Sequence, residues 1–163
     1  MKFLFILFFT TLFLVAPDLT KIREDYINAV HSKENAENLY NDLAEVTKSD
    51  EKILVAYKGA VTTLKAKFSK STKDKKKLFK DGATLIEYAV SEEPSNIEIR
   101  CIRLGVQGNT PKVVNYRKNI LEDKQYILDH FNEITSSNLK SYIKGFVMHS
   151  KSFTDLEKEK IKK

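Results

Sequence analysis

The sequence predicts an all-α fold, and three observations carry that expectation. Apolar residues return every three or four positions from Asp18 onward, the spacing of one helix face. No segment sustains the two-residue alternation of a half-buried strand. Only 5 Gly and 3 Pro interrupt 163 residues rich in Lys, Glu, Leu and Ala, so little breaks a helix once started. The chain is long enough for one domain with a real core, and its single cysteine excludes an internal disulfide.

Before that domain stands "MKFLFILFFTTLFLVAPDL". One Lys precedes an uncharged run from Phe3 to Ala16 that is too short to span a bilayer and suits the apolar part of an export signal. Residues 1–16 are therefore expected to be a signal peptide, with an uncleaved N-terminal anchor as the alternative, because Leu14 and Pro17 make a poor cleavage site. Residues 18–163 follow as a single helical domain. The localisation expected is exported: periplasmic or secreted, and membrane-tethered if the signal stays.

Four apolar stripes open the domain. Ile22, Tyr26, Ala29 and Val30 form the first, and Ala36, Leu39, Tyr40, Leu43 and Val46 the second. The turn "TKSDE" (47–51) leads to a third, Leu54, Tyr57, Val61, Leu64 and Phe68. "SKSTKDK" reads as a basic loop insertion near 69–77, followed by Leu78, Phe79, Gly82, Leu85, Ile86, Ala89 and Val90. "SEEPSN" (91–96) ends the fourth helix, with Ser95 and Glu98 spaced as a capping box for the fifth. "GNTP" (108–111) stops the fifth, and Thr110 with Pro111 reads as the start of a short helical turn. Tyr126, Ile127, His130, Phe131 and Ile134 mark a longer helix, then Leu139, Tyr142, Ile143, Phe146 and Val147 another. Thr154 and Glu157 can cap a last, basic helix. The expectation is seven or eight helices packed as antiparallel hairpins in a short right-handed α-solenoid.

A weak internal repeat supports stacking. Setting 43–61 over 88–106 pairs Ala44 with Ala89, Leu54 with Ile99 and Val61 with Val106. Within it, "GATLIEYAVSEEP" (82–94) places Gly82, Ile86, Ala89 and Pro94 where the second helix of a tetratricopeptide repeat has its small, large, small and proline positions. The chain resembles that family here, and Tyr57 and Gly59 resemble its first helix, although the spacing from Gly59 to Gly82 is longer than that motif's. Residues 53–131 also resemble uncharacterised exported bacterial proteins with an "EIR…RL…Q…P" signature, here Glu98, Ile99, Arg100, Arg103, Leu104, Gln107 and Pro111. The second resemblance implies no activity. The first implies a TPR-like scaffold that binds a protein or peptide in its groove.

The fifth helix is the informative one. At 100° per residue, Ile99, Ile102 and Val106 fall on one flank, and Ile97, Cys101 and Leu104 on nearly the opposite one. Arg100, Arg103 and Gln107 lie on the arc between. A helix packed on two flanks is central, and arginine there must be paired or hydrogen-bonded if buried. Two readings stand: internal ion pairs with Glu87, Glu122 or Asp123, or a candidate ligand groove in which Arg100, Arg103 and Gln107 grip a carboxylate.

Charge is concentrated elsewhere. "KAKFSKSTKDKKKLFK" (65–80) has eight Lys and one Asp in a chain of net charge +6, so the rest is close to neutral. Lys73, Lys75, Lys76, Lys77 and Lys80 form a candidate anionic-surface patch, either a solvated segment or a site for anionic lipid or polysaccharide.

Catalysis finds no footing. His31, His130 and His149 are far apart and lack metal-ligand spacing. No phosphate-binding Gly-rich loop or GxSxG elbow occurs. Cys101 reads as a small buried apolar residue. The expectation is a non-enzymatic, monomeric binding module of the cell envelope, without metal or cofactor and without nucleic acid as partner.

Overall fold

The computed structural model describes residues 18–162; the expected signal segment, 1–16, lies outside the described residues. Those residues form eight α-helices and two 3-10 turns, with no strand among them. The helices are α1 (Leu19–Ala29), α2 (Lys33–Asp42), α3 (Lys52–Phe68), α4 (Thr72–Glu92), α5 (Ile97–Asn109), α6 (Ile120–His130), α7 (Ser137–His149) and α8 (Asp155–Lys162). None is long and apolar enough to cross a membrane. The domain is all-α, as the periodicity predicts.

Local chemistry sets the boundaries. Ser32 accepts from the Asn35 amide to start α2, and Ser136 from the Leu139 amide to start α7. Thr154 and Glu157 form the expected reciprocal box before α8: the Thr154 amide donates to Glu157, and the Glu157 amide to Thr154 Oγ1. The cap of α5 falls one residue later than expected, on Asn96, whose side chain accepts from the Glu98 and Ile99 amides. After Pro111 the chain makes a 3-10 turn, Lys112–Val114, closed by left-handed Asn115 at φ 55°.

The expected basic loop at 69–77 is not a loop. Only Ser69–Ser71 separate α3 from α4, and α4 begins at Thr72. Ser71 caps it by accepting from the Asp74 amide at 3.2 Å. Asp74 in the first turn suits the positive end of the helix, and the lysines that follow are good helix formers.

Consecutive helices pack together, α1 with α2, α2 with α3, α3 with α4, α4 with α5, α5 with α6 and α7 with α8. The tightest is α3/α4. A Cβ on Gly59 would lie 2.7 Å from the Gly82 carbonyl oxygen and 2.9 Å from Ile86 Cγ1, so the two backbones touch because both positions lack a side chain. The odd-numbered helices also meet in succession: α1 touches α3, α3 touches α5, and α5 touches α7.

Two apolar clusters result. One is built from α1 to α5 and includes Ile99, Ile102 and Val106. The other gathers Cys101 and Leu104 with Ile127, Phe131, Ile143, Val147 and Ile161. Helix α5 therefore feeds one core from each flank, the division its sequence projects.

Candidate functional site

Between the flanks of α5 lies a buried polar strip. Arg103 is 4% exposed and Gln107 fully buried. Arg103 Nε and Nη2 donate to the two oxygens of Asp123 at 2.7 and 2.6 Å, and its Nη1 donates to Glu87 at 3.1 Å. Asp123 itself is fully buried, a position an ionised carboxylate holds only when paired. Arg100 reaches Glu122 at 2.8 Å and Asp123 at 3.0 Å, and its guanidinium stacks 4.3 Å from the centre of the Tyr126 ring. Glu87 also accepts from the Tyr116 hydroxyl at 2.7 Å. Gln107 exchanges two hydrogen bonds with Asn119, accepting from its backbone amide at 3.0 Å and donating to its side chain at 3.3 Å.

All three carboxylates expected as internal partners, Glu87, Glu122 and Asp123, are engaged. Arg100, Arg103 and Gln107 thus clamp α5 to α4, α6 and the segment before α6. Their hydrogen-bonding groups are engaged within the protein, and burial leaves Arg103 and Gln107 little surface to offer a ligand, which weighs against the groove reading. Two surface cavities, of about 330 and 280 Å3, lie elsewhere, the first between α7 and the end of α8 around Phe131, Lys140 and Ile161, the second between α1 and α2 around Ile22, Leu39 and Leu43.

A second buried cluster escapes a reading of the sequence. Arg23 of α1 clamps Glu98 of α5 through Nε and Nη2 at 2.8 and 2.7 Å, and its Nη1 donates to Asn138 of α7 at 2.6 Å. The Tyr57 hydroxyl of α3 donates to the same Glu98 at 2.7 Å. Burial lifts the Tyr57 phenol far above its ordinary range, with Tyr142 and the Glu98 charge adding to it. One group from each odd-numbered helix meets here. Glu98 reads locally as a first-turn capping residue. The only local signal of its role is that Arg23 sits at the edge of the α1 apolar stripe, beside Val30 in projection. Every buried side-chain polar atom among the described residues has a hydrogen-bond partner, so neither cluster offers a vacant polar group to a ligand.

No protein-family model matches the chain, and neither does any curated protein or solved structure.

The lysine segment differs in kind from both clusters. Lys73, Lys75, Lys76, Lys77 and Lys80 are all exposed. Helical geometry places Lys73, Lys76, Lys77 and Lys80 at i, i+3, i+4 and i+7, within an arc of about 100°, while Lys75 points away. Opposite the arc run Gly82, Leu85, Ile86 and Ala89, the seam packed on the core. Lys77 pairs with Asp81 at 2.7 Å, and that contact raises its pKa. Lys73, Lys75, Lys76 and Lys80 have no described carboxylate within ion-pair distance. Phe68 and Phe79, which border the segment, are half-buried and pack against the first core, so neither is a free stacking platform.

Proposed function

We propose that this protein is a non-enzymatic, TPR-like stack of helical hairpins in the cell envelope that docks on an anionic surface through the outer face of α4. One observation carries the reading. Four exposed lysines share a single face of an ordered helix, with the apolar seam on the opposite side and three of the four free of any described carboxylate. Such a stripe holds charges at fixed spacing and pays no cost to order a loop on binding. The succession of contacts among α1, α3, α5 and α7 supports the stacked arrangement, as does the backbone contact at Gly59 and Gly82, the two positions that resemble the repeat family's. A peptide held beside Arg100, Arg103 and Gln107 has less support, because those groups already have internal partners.

The test is cosedimentation of the full chain with vesicles of phosphatidylcholine alone or with added phosphatidylglycerol, at low and high salt. Binding should require the anionic lipid and weaken with salt. Each lysine near the surface contributes about 1 kcal/mol. Replacing Lys73, Lys76, Lys77 and Lys80 together by Gln should therefore weaken binding by about a hundredfold or more. Binding that is indifferent to these four replacements would overturn the reading.

A further inference from the structure

The antiparallel hairpins sort their connections to two ends of the domain. The turns inside hairpins, 30–32, 69–71, 110–119 and 150–154, share one end. Three contacts tie them together: Lys67 Nζ donates to the Val30 carbonyl at 2.8 Å, the Phe79 and Tyr116 rings meet edge-on at 5.6 Å, and a Cβ on Gly108 would lie 3.0 Å from Ser152 Oγ. The connections between hairpins, 43–51, 93–96 and 134–136, share the other end, where Tyr88 near the close of α4 donates to the Lys48 carbonyl and Tyr126 to that of Ser95.

The two ends differ in chemistry. The turn end holds the lysines of 67–80, joined by Lys112, Arg117 and Lys118 from a segment without an acid. The connections at the opposite end carry Glu45, Asp50, Glu51 and Glu93 against Lys48 and Lys52, whose ammonium folds back on the Lys48 and Asp50 carbonyls. More telling is the placement of exposed aliphatics. Val113 is 92% exposed, Leu156 80% and Leu121 74%, with Ile27 and Val114 less so. These are all the large exposed hydrophobics among the described residues, and all five lie at the turn end. Val113 and Val114 are in the 3-10 turn, Leu121 and Leu156 are each the second residue of a helix leaving a turn, and Ile27 is in the last turn of α1. A lone exposed leucine means nothing. Five at one end share it with the lysines of 67–80 and with Lys112, Arg117 and Lys118, which outnumber the first-turn acids Glu34, Asp74, Glu122 and Asp155 beside them. They so form a surface with the two properties of an interfacial anchor: attraction to anionic headgroups and apolar area to sink below them.

We infer that the turn end of the domain is a membrane-docking face, in which Val113, Leu121 and Leu156 enter the interface of an anionic lipid bilayer while the lysines of α4 lie on its headgroups. This rests on the anionic-surface reading above and adds insertion, orientation and a specific partner to it.

The chain has no tryptophan, so a single introduced one reports alone. Val113→Trp and Leu156→Trp would be made separately in the full chain, with Ser49→Trp as the reporter at the opposite end. Each would be mixed with vesicles of phosphatidylcholine and phosphatidylglycerol, with and without brominated acyl chains. Val113→Trp and Leu156→Trp should shift their emission to the blue and lose intensity to the brominated chains, while Ser49→Trp does neither. Equal quenching at both ends would overturn the proposed orientation. Lysine-dependent binding with no quenching at Val113→Trp or Leu156→Trp would overturn insertion and leave surface docking standing. Binding that ignores the four lysine replacements would remove both.

Discussion

Arg103 holds Asp123 by two nearly parallel hydrogen bonds of 2.7 and 2.6 Å, in a place where the carboxylate has no access to water. The fork of the guanidinium fits the carboxylate in a way a lysine cannot reproduce. Removing one partner strands the other. Asp123→Ala should therefore cost about 3–5 kcal/mol, as breaking a buried pair does, and Arg103→Lys should be well short of neutral. Urea denaturation followed by circular dichroism measures both. A loss below about 1 kcal/mol, the range of surface pairs, would mean that the pair is not desolvated.

The two glycines at the crossing of α3 and α4 make a prediction of opposite sign to a third. Ala normally stabilises a helix relative to Gly by roughly 0.5–1 kcal/mol. Gly145 in α7 has nothing within 4 Å of where a Cβ would sit, so Gly145→Ala should gain about that amount. At Gly82 the new methyl would collide with the Gly59 carbonyl oxygen, which is backbone and cannot swing aside. Gly82→Ala should lose about 1–3 kcal/mol by overpacking. Thermal melts of the two variants beside the parent should move in opposite directions.

Acid should loosen the α6 and α8 attachments. The Arg100 hydrogen bond, helped by Asn119, holds the Glu122 carboxyl below its ordinary value of 4.5. Lys124, with Thr154, does the same for Glu157. A depressed carboxylate stabilises the fold above its unfolded pKa, and that contribution is lost as pH falls through the folded value. Stability should thus be flat from neutrality down to about the ordinary carboxylate range and decline below it. Glu157→Gln should flatten part of that decline in pH-dependent denaturation; an unchanged slope would show that the Lys124 contact does not persist in solution.

Cys101 is 1% exposed, and burial raises its thiol pKa well above the ordinary value. Thiolate, not thiol, attacks disulfide reagents. Labelling of the native protein by a chromogenic disulfide should be slow and should accelerate with urea in step with global unfolding. Rapid labelling in buffer would place the α5–α7 interface among the locally opening parts of the fold.

How much of this could be read from residues alone varies with the range of the interaction. The two-flanked nature of α5 was legible, because 3.6-residue periodicity sorts Ile99, Ile102 and Val106 from Cys101 and Leu104 without any tertiary information. The partners of Arg100 and Arg103 were legible as a set, since Glu87, Glu122 and Asp123 come from α4 and α6, the helices before and after α5 in the chain. The first turns of α4 were not. Thr72 to Lys77 are exposed all round, so no apolar stripe marks them, and polar residues with lysines resemble a loop until the Ser71 cap is noticed. The Arg23–Glu98 clamp spans 75 positions. Nothing local encodes it, because its geometry exists only after α1, α3 and α5 have stacked. The exposed aliphatics were equally hidden: Val113 and Leu156 look like ordinary core residues until burial is known.

The meeting of Arg23, Tyr57, Glu98 and Asn138 bears on how the domain comes apart. A row of hairpins held only by nearest neighbours can fray from either end, one unit at a time. Here α1 and α7 touch each other directly, through Arg23 and Asn138, and Arg23 ties both to the carboxylate-centred knot on α5. Peeling α1 away would expose the Glu98 charge and release Asn138 in the same event. Helix α1 is thereby denied an independent low-energy opening, and its amides should exchange with solvent hydrogen at rates near those of α5, so that these helices open as one cooperative unit.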